Sequence, residues 1–161
     1  MTVRTDGLDD LGRMLAELAN EAQAVAAEAL YDGAGLMADA LNNGIDSIKT
    51  EPFKYAANGQ TRMPSPQEKA ALERKIGIAS FRKNGSEVDT LIGIGLDGYA
   101  QIAGKKKPVA VIARSINSGT SFMQKQPVFR RAVSKAKGPV TAAIVAKVEE
   151  RFNEIIKANG G

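Results

Sequence analysis

The side chains with the greatest capacity for chemistry in this sequence are basic, and they are concentrated in its second half. Between residues 98 and 148 there are ten Lys and Arg residues and no acidic residue. Such side chains attract phosphates and carboxylates, because both accept charge-assisted hydrogen bonds from them. We single out six of them as candidates for contact with a partner: Lys105, Lys106, Lys107, Arg114, Arg130 and Arg131.

The beginning of the chain has the opposite charge. Residues 1–48 include nine Asp and Glu residues and only two Arg residues, although the whole chain has a net charge of +4. Two interpretations remain open at this point. Either the basic part is a binding surface for nucleic acid, or it is a binding surface for the acidic part of a neighbouring copy of the same chain.

Catalytic and metal-binding chemistry finds little support in the sequence. The chain has no Cys and no His, which excludes thiol and imidazole nucleophiles, disulfides and zinc sites built on those ligands. Carboxylates such as Asp89 and Asp97 are isolated from one another in the sequence and form no pair of the kind used in acid–base catalysis. We therefore expect no catalytic residue, no metal, no cofactor and no enzymatic activity.

The length and composition are those of one domain. The chain has 161 residues, of which 43% are hydrophobic, and it has no Trp, so its core must consist of Ala, Val, Ile and Leu. No apolar run approaches the roughly 20 residues that cross a bilayer, and the first residues have no apolar segment typical of a signal peptide. We expect a protein that is made in the cytoplasm and does not contact a membrane.

The first half of the chain is predicted to be mainly helical. Residues 1–49 have apolar positions three and four residues apart, with a break or kink expected at the DGAG sequence of residues 32–35. Residues 50–65 are rich in turn-forming residues and predict an extended loop or arm. Ser65, Pro66 and Glu68 then match the capping pattern at the start of a short helix.

The second half of the chain mixes strands and helices. Within residues 66–118 the short helix is followed by a β-hairpin centred on Asn84-Gly85, an exposed loop at 98–108 and a short helix opened by Pro108. Residues 119–161 predict a turn and two C-terminal helices hinged at Gly138-Pro139. The second of these helices has a core stripe, formed by Val140, Ile144, Val148, Phe152 and Ile155. The predicted fold class is α+β, with the C-terminal helices packed on a small antiparallel sheet.

The stretch SGTSFMQKQPVFRR, residues 118–131, has the features of a structural connection. Gly119 permits a left-handed turn, and Thr120 and Ser121 can brace it with side-chain hydrogen bonds. Pro127 fixes the direction in which the next helix begins. We expect Phe129 to lie in the core, while the two arginines after it point elsewhere.

The longer stretch IARSINSGTSFMQKQPVFRRAV, residues 112–133, resembles a signature of tail-component proteins of long-tailed bacteriophages. This family is typified by the gene-ten product of a lambdoid coliphage, and its members are described as tail-completion or neck proteins. The order of elements along the rest of the chain is also similar. The residues that match the signature are Gly119, Thr120, Ser121, Met123, Gln126, Pro127, Arg130, Arg131 and Ala132.

The resemblance implies a non-enzymatic virion protein at the junction of head and tail, forming a ring through which double-stranded DNA passes. The six basic candidates would then lie at subunit interfaces or in the lumen. A six-fold ring is expected by analogy with the tail tube, and a twelve-fold ring is the lesser alternative. Its neighbours would be a head–tail connector or stopper protein and a tail-tube or terminator protein. The alternative is a cytoplasmic nucleic-acid-binding protein.

Overall fold

The structure is a computed structural model that describes residues 6–73, 75–85, 87–95 and 97–159. Two long helices, α1 and α4, are the first and last elements, and the shorter elements lie between them in the sequence. The helices and strands are, in order, α1 (Asp6–Asp46), α2 (Pro66–Ala70), β1 (Ile76–Ile78), β2 (Arg82–Asn84), β3 (Glu87–Asp89), β4 (Ile92–Ile94), β5 (Tyr99–Ile102), β6 (Lys105–Pro108), α3 (Val109–Ser118) and α4 (Val128–Asn159). The predicted α+β class is confirmed.

Helices α1 and α4 form an antiparallel pair. Gly44, near the end of α1, lies against the first turns of α4, whereas Gly33 lies against Ile144 in the middle of α4. Further along, the Glu28 carboxylate accepts a hydrogen bond of 3.0 Å from the Arg151 Nε–H and lies 3.4 Å from the Lys147 Nζ. Within the described residues, no helix is long and apolar enough to span a bilayer.

The break expected at residues 32–35 is wrong, because α1 continues through it. Gly33 has the opposite role: a Cβ atom there would lie 2.5 Å from Ile144 Cγ1, so the missing side chain lets α4 approach closely. Gly35, on another side of the helix, has no atom within 4 Å of such a Cβ. Burial against α4 compensates for the low helical propensity of the two glycines.

The hinge expected at Gly138-Pro139 is also wrong, because α4 is one helix with Pro139 inside it. A proline in a helix removes one backbone hydrogen bond and costs about 3 kcal/mol. Pro139 is exposed, so water can hydrogen-bond the carbonyl that loses its partner. The predicted core stripe, Val140, Ile144, Val148, Phe152 and Ile155, is half-buried, and α4 packs along α1 rather than on a sheet.

The hairpin predicted around Asn84-Gly85 is confirmed. Strands β2 and β3 flank it in antiparallel pairing, and Gly85 has a φ of +63°. Strands β1 and β4, which come before β2 and after β3 in the chain, also pair antiparallel, with Gly77 opposite Gly93. The hairpin lies against α1, where the Gln23 amide donates a hydrogen bond of 3.0 Å to the Gly85 carbonyl oxygen.

Residues 98–108, expected to be an exposed loop, form a second hairpin of β5 and β6. Its turn is Ala103-Gly104, and both residues have positive φ angles, 49° and 77°. A two-residue turn of this kind matches the twist of antiparallel strands, which is why a short lysine-rich segment can form a regular hairpin. Pro108 ends β6, and α3 follows directly after it as the expected short helix.

The hydrophobic core is at one end of the long helix pair. It joins the end of α1, the turn after α2, β5, α3 and the start of α4. Its buried residues are Ile45, Ile48, Leu72, Ile102, Val109, Ile112, Ala113, Ile116, Met123 and Val128. This core fixes where α4 begins relative to the end of α1.

Candidate functional site

Gly119 and Thr120 have the roles predicted for them in the turn that precedes α4. Gly119 adopts φ 77° and ψ 167°, and a Cβ atom there would lie 2.9 Å from Lys125 Cβ. The Thr120 hydroxyl accepts hydrogen bonds from the backbone N–H groups of Phe122, at 3.3 Å, and Met123, at 3.0 Å. Ser121, which was also expected to brace the turn, is exposed, and its hydroxyl makes no hydrogen bond with the described residues. Glycine at 119 is therefore required by both the backbone angle and the close approach of Lys125.

The start of α4 is held in place from two directions. Pro127 precedes the helix, and its carbonyl oxygen accepts a hydrogen bond of 3.1 Å from the Arg131 N–H. Phe129 is half-buried and packs against the core, close to its expected position. The Gln126 side chain accepts a hydrogen bond of 2.9 Å from the Lys49 N–H and donates one of 2.8 Å to the Lys49 carbonyl oxygen. Two distant chain segments are thereby joined.

The predicted loop at 50–65 has no helix or strand, but a buried arginine anchors it. The Arg62 backbone pairs with residues 122–124 through two hydrogen bonds of 2.9 Å. Its guanidinium donates two more, of 2.7 Å and 2.6 Å, to the Glu68 carboxylate, and both side chains are almost fully buried. The loop is therefore tied to the turn before α4.

Glu68 also completes the predicted capping box of α2. Its carboxylate accepts a hydrogen bond from the Ser65 N–H, and the Ser65 hydroxyl accepts one from the Glu68 N–H. Burial alone would raise the pKa of Glu68, but the bonds from Arg62 and Ser65 outweigh burial, so the pKa of Glu68 is lowered below its ordinary value. Glu68 is thus a charged group that holds the fold together.

The start of α4 and the end of α1 enclose an open groove of about 560 Å³. Four of its lining residues are cationic, namely Lys49, Lys125, Arg131 and Lys135, and we call this surface the basic groove. Among the described residues, no acidic side chain lines the groove, and none of these four cations forms an ion pair. Arg130 extends the surface, because it lines an adjoining recess with Arg131 and Lys135.

The six sequence-predicted cations do not form one cluster. Arg130 and Arg131 are both exposed at the basic groove, whereas Lys105, Lys106 and Lys107 are on β6 and Arg114 is on the exposed side of α3. The Lys106 ammonium lies 4.7 Å from the centre of the Tyr99 ring, and the Lys107 ammonium lies 3.7 Å from the Glu68 carboxylate. The β6 lysines therefore form a separate basic surface.

Sequence reasoning did not identify three cations of the basic groove, Lys49, Lys125 and Lys135. Arg131 and Lys135 are four residues apart, and this helical spacing was a usable signal. No local sequence pattern identifies Lys49, whose backbone is held at the groove by hydrogen bonds with Gln126. The Arg62–Glu68 pair was not predicted either, because the capping pattern identifies Glu68 but not the cation that it binds.

The described residues contain no group of three or more acidic side chains that could hold a metal ion. The chemistry that the site offers is therefore that of four exposed cations around a groove with a floor of small residues, Gly44 and Ala132 among them. Such a surface has a positive potential that attracts anions. Comparison of the chain with protein-family models, with curated proteins and with solved structures found no match.

Proposed function

We propose that this chain is a non-enzymatic structural subunit of a bacteriophage virion. In this role it forms a ring at the head–tail neck as a tail-completion component, and double-stranded DNA passes through the ring. The observation that carries the proposal is the separation between the acidic residues at the start of α1 and the basic groove near its end. The signature at residues 112–133 supplies the link to the phage neck.

The acidic start of α1 and the basic groove cannot meet within one molecule, although Glu28 of the acidic part pairs with Lys147 of the basic part. Residues 6–21 of α1 include five acidic residues and one Arg, whereas the basic groove lies beside Gly44 at the other end of α1. About 35 Å of continuous helix separates Glu21 from Gly44, at 1.5 Å per residue. The two charged surfaces can therefore neutralise each other only between copies, which favours self-assembly.

The amount of exposed surface also supports a subunit of an assembly. The chain exposes 11193 Å², whereas a compact 17.0 kDa monomer exposes about 7,700 Å². Large apolar side chains are among the exposed residues, including Tyr31, Leu36, Tyr55, Leu91, Val145 and Ile156. In an assembly, such side chains can be buried against other subunits.

The expected ring has six subunits by analogy with the tail tube, and twelve subunits are the lesser alternative. Its partners would be the connector or stopper protein above it and the tail-tube or terminator protein below it. The lysines of β6 and Arg114 are separate from the basic groove, so they can face DNA while the groove contacts protein. In a lumen, weak contacts repeated around the ring let DNA move through the channel, whereas strong contacts would hold it in place.

The proposal is tested on purified particles of the phage that encodes the chain. Mass spectrometry should detect the protein at about six copies per particle, or twelve for the alternative ring, and averaged images of the neck should show density that disappears when the gene is deleted. Deletion should leave filled heads and separate tails. Infectious particles that lack the chain would contradict the proposal.

A cytoplasmic nucleic-acid-binding protein remains the alternative, and the uncompensated cations of the basic groove favour it. The two functions differ in their response to salt. A protein that binds DNA on its own through several phosphate contacts loses affinity steeply as salt rises, whereas a ring subunit binds free DNA weakly at any salt concentration. Filter binding of a labelled duplex between about 0.05 and 0.5 M NaCl distinguishes them.

A further inference from the structure

We infer that the basic groove is the docking site for residues 6–21 of α1 from a second copy of this chain. This inference rests on the self-assembly that the proposed function requires, and it names the two surfaces that meet. The contact is head-to-tail, since the groove of one copy receives the beginning of α1 of the next. Interfaces of this kind produce closed rings when the rotation between copies closes.

The groove has the chemistry of a receptor for an acidic helix. Lys125, Arg131 and Lys135 line it from the α4 side and Lys49 lines it from the α1 side, with no acidic side chain among the described lining residues. Gly44 and Ala132 also line it, and their small size lets the end of α1 and the start of α4 approach each other closely beneath the four cations. Because all four cations are exposed or at the rim, they select an anionic partner rather than add a large binding energy.

The beginning of α1 has the complementary chemistry. Residues 6–21 read DGLDDLGRMLAELANE, with a net charge of −4 and with leucines at positions 8, 11, 15 and 18. At helical periodicity this spacing puts the leucines in a stripe on one side of the segment and the acidic residues mainly on the opposite side, so an acidic face is available to the cations of the groove. An amphipathic acidic helix is the kind of ligand that a basic groove with a small-residue floor accommodates.

The beginning of α1 also extends beyond the end of its own partner helix. The contacts of Glu28 with Lys147 and Arg151 place Asn159, the last residue of α4, opposite roughly residues 16–20 of α1, because antiparallel helices have the same rise. About three turns of α1 therefore continue past the end of α4. A neighbouring copy can cover these turns without displacing α4.

A charge-swap experiment with full-length protein tests the inference. One variant reverses the groove (Arg131→Glu with Lys135→Glu), and another reverses the helix (Asp9→Lys with Asp10→Lys). Lys83→Glu with Lys137→Glu is the matched control, because it makes the same charge change at exposed positions outside the groove. Circular dichroism confirms that each variant is folded, and sedimentation velocity measures association over a range of concentrations.

The wild type should associate more weakly as NaCl rises from about 0.05 to 0.5 M, since salt screens exposed charges. Each reversed variant alone should associate at least about tenfold more weakly than the wild type. An equimolar mixture of the two should recover association, because each variant then offers the surface that the other lacks. The control variant should behave like the wild type.

Three results would overturn the inference. They are a mixture that associates no better than its separate components, a groove-reversed variant that associates as the wild type does, and a wild type that stays monomeric throughout. If groove reversal instead abolishes binding of a labelled DNA duplex and leaves association unchanged, the groove belongs to nucleic acid. Detection of the chain in particles is independent of these results, so the proposed function can stand when the docking assignment fails.

Discussion

At the scale of single residues, the Arg62–Glu68 pair connects three parts of the structure. Arg62 belongs to the loop between α1 and α2, pairs through its backbone with the turn before α4, and lies 4.9 Å from the centre of the Phe53 ring. Glu68 caps α2 and accepts both guanidinium hydrogen bonds. Removing one partner of such a buried pair leaves the other charge without compensation.

We predict that Glu68→Gln lowers the free energy of unfolding by about 3–5 kcal/mol at pH 7. The matched control is Glu51→Gln, which breaks the exposed pair of Glu51 with Lys54 and should cost less than about 1 kcal/mol. Urea denaturation followed by circular dichroism measures both changes. Equal effects of the two substitutions would contradict the structural importance of the buried pair.

The pH dependence follows from the lowered pKa of Glu68. The folded state binds this proton more weakly than the unfolded state does, so the stabilisation is present above about pH 4.5 and is lost as the pH falls through the folded pKa. We expect the wild type to lose more stability than Glu68→Gln between pH 6 and pH 3. Parallel stability curves for the two proteins over that range would contradict this expectation.

Gly119 is the second residue on which local geometry depends. Gly119→Ala should lower stability by about 1–3 kcal/mol, because alanine tolerates the positive φ poorly and its methyl group would meet Lys125 at 2.9 Å. Gly77→Ala is the control, since nothing lies within 4 Å of a Cβ there and the φ angle is not positive. It should change stability by less than about 1 kcal/mol in thermal denaturation.

At the scale of elements, glycines determine how closely α1 and α4 pack. Gly35→Ala should stabilise the protein by about 0.5–1 kcal/mol, because alanine favours the helix and the site is open. Gly33→Ala has the same helical benefit but forces Ile144 to move, which costs about 1–3 kcal/mol. Urea denaturation should therefore find Gly33→Ala less stable than Gly35→Ala, and the reverse order would contradict the packing described.

The continuity of α4 gives another prediction at this scale. Pro139→Ala restores a backbone hydrogen-bond donor inside a helix and should raise stability by about 1–3 kcal/mol. Pro66→Ala is the control, because Pro66 is at the first position of α2, where proline is favourable. It should leave stability unchanged or slightly lower in the same assay. A destabilised Pro139→Ala would instead support a hinge at this position.

At the scale of the whole molecule, the two basic surfaces have different expected partners. If the basic groove is occupied by a second copy, the remaining lysines of β6 give only weak contacts with DNA. We predict a dissociation constant no tighter than about 1 µM for a 20-base-pair duplex at physiological salt, measured by fluorescence anisotropy. Lys105→Gln with Lys106→Gln should weaken this binding further, and nanomolar affinity of the wild type would favour the alternative function.

The sequence alone determined those features whose interactions are local. The capping box of α2, the hairpin at Asn84-Gly85 and the turn at Gly119 depend on hydrogen bonds and backbone angles within a few residues, so residue types at fixed spacing were sufficient to predict them. The separation of acidic and basic residues along the chain was also predictable, because it is counted directly in the sequence. The phage-neck assignment stays a prediction.

Only the tertiary structure decided the features that join distant segments. Glycine and proline at residues 32–35 and 138–139 indicated breaks, yet both helices continue, because each buries one side against the other. At the basic groove, Gln126 binds Lys49 across 77 positions of sequence, a contact that no local pattern encodes. Packing between remote elements overrides weak local preferences, since the free energy gained by burial exceeds the cost of one unfavourable residue in a helix.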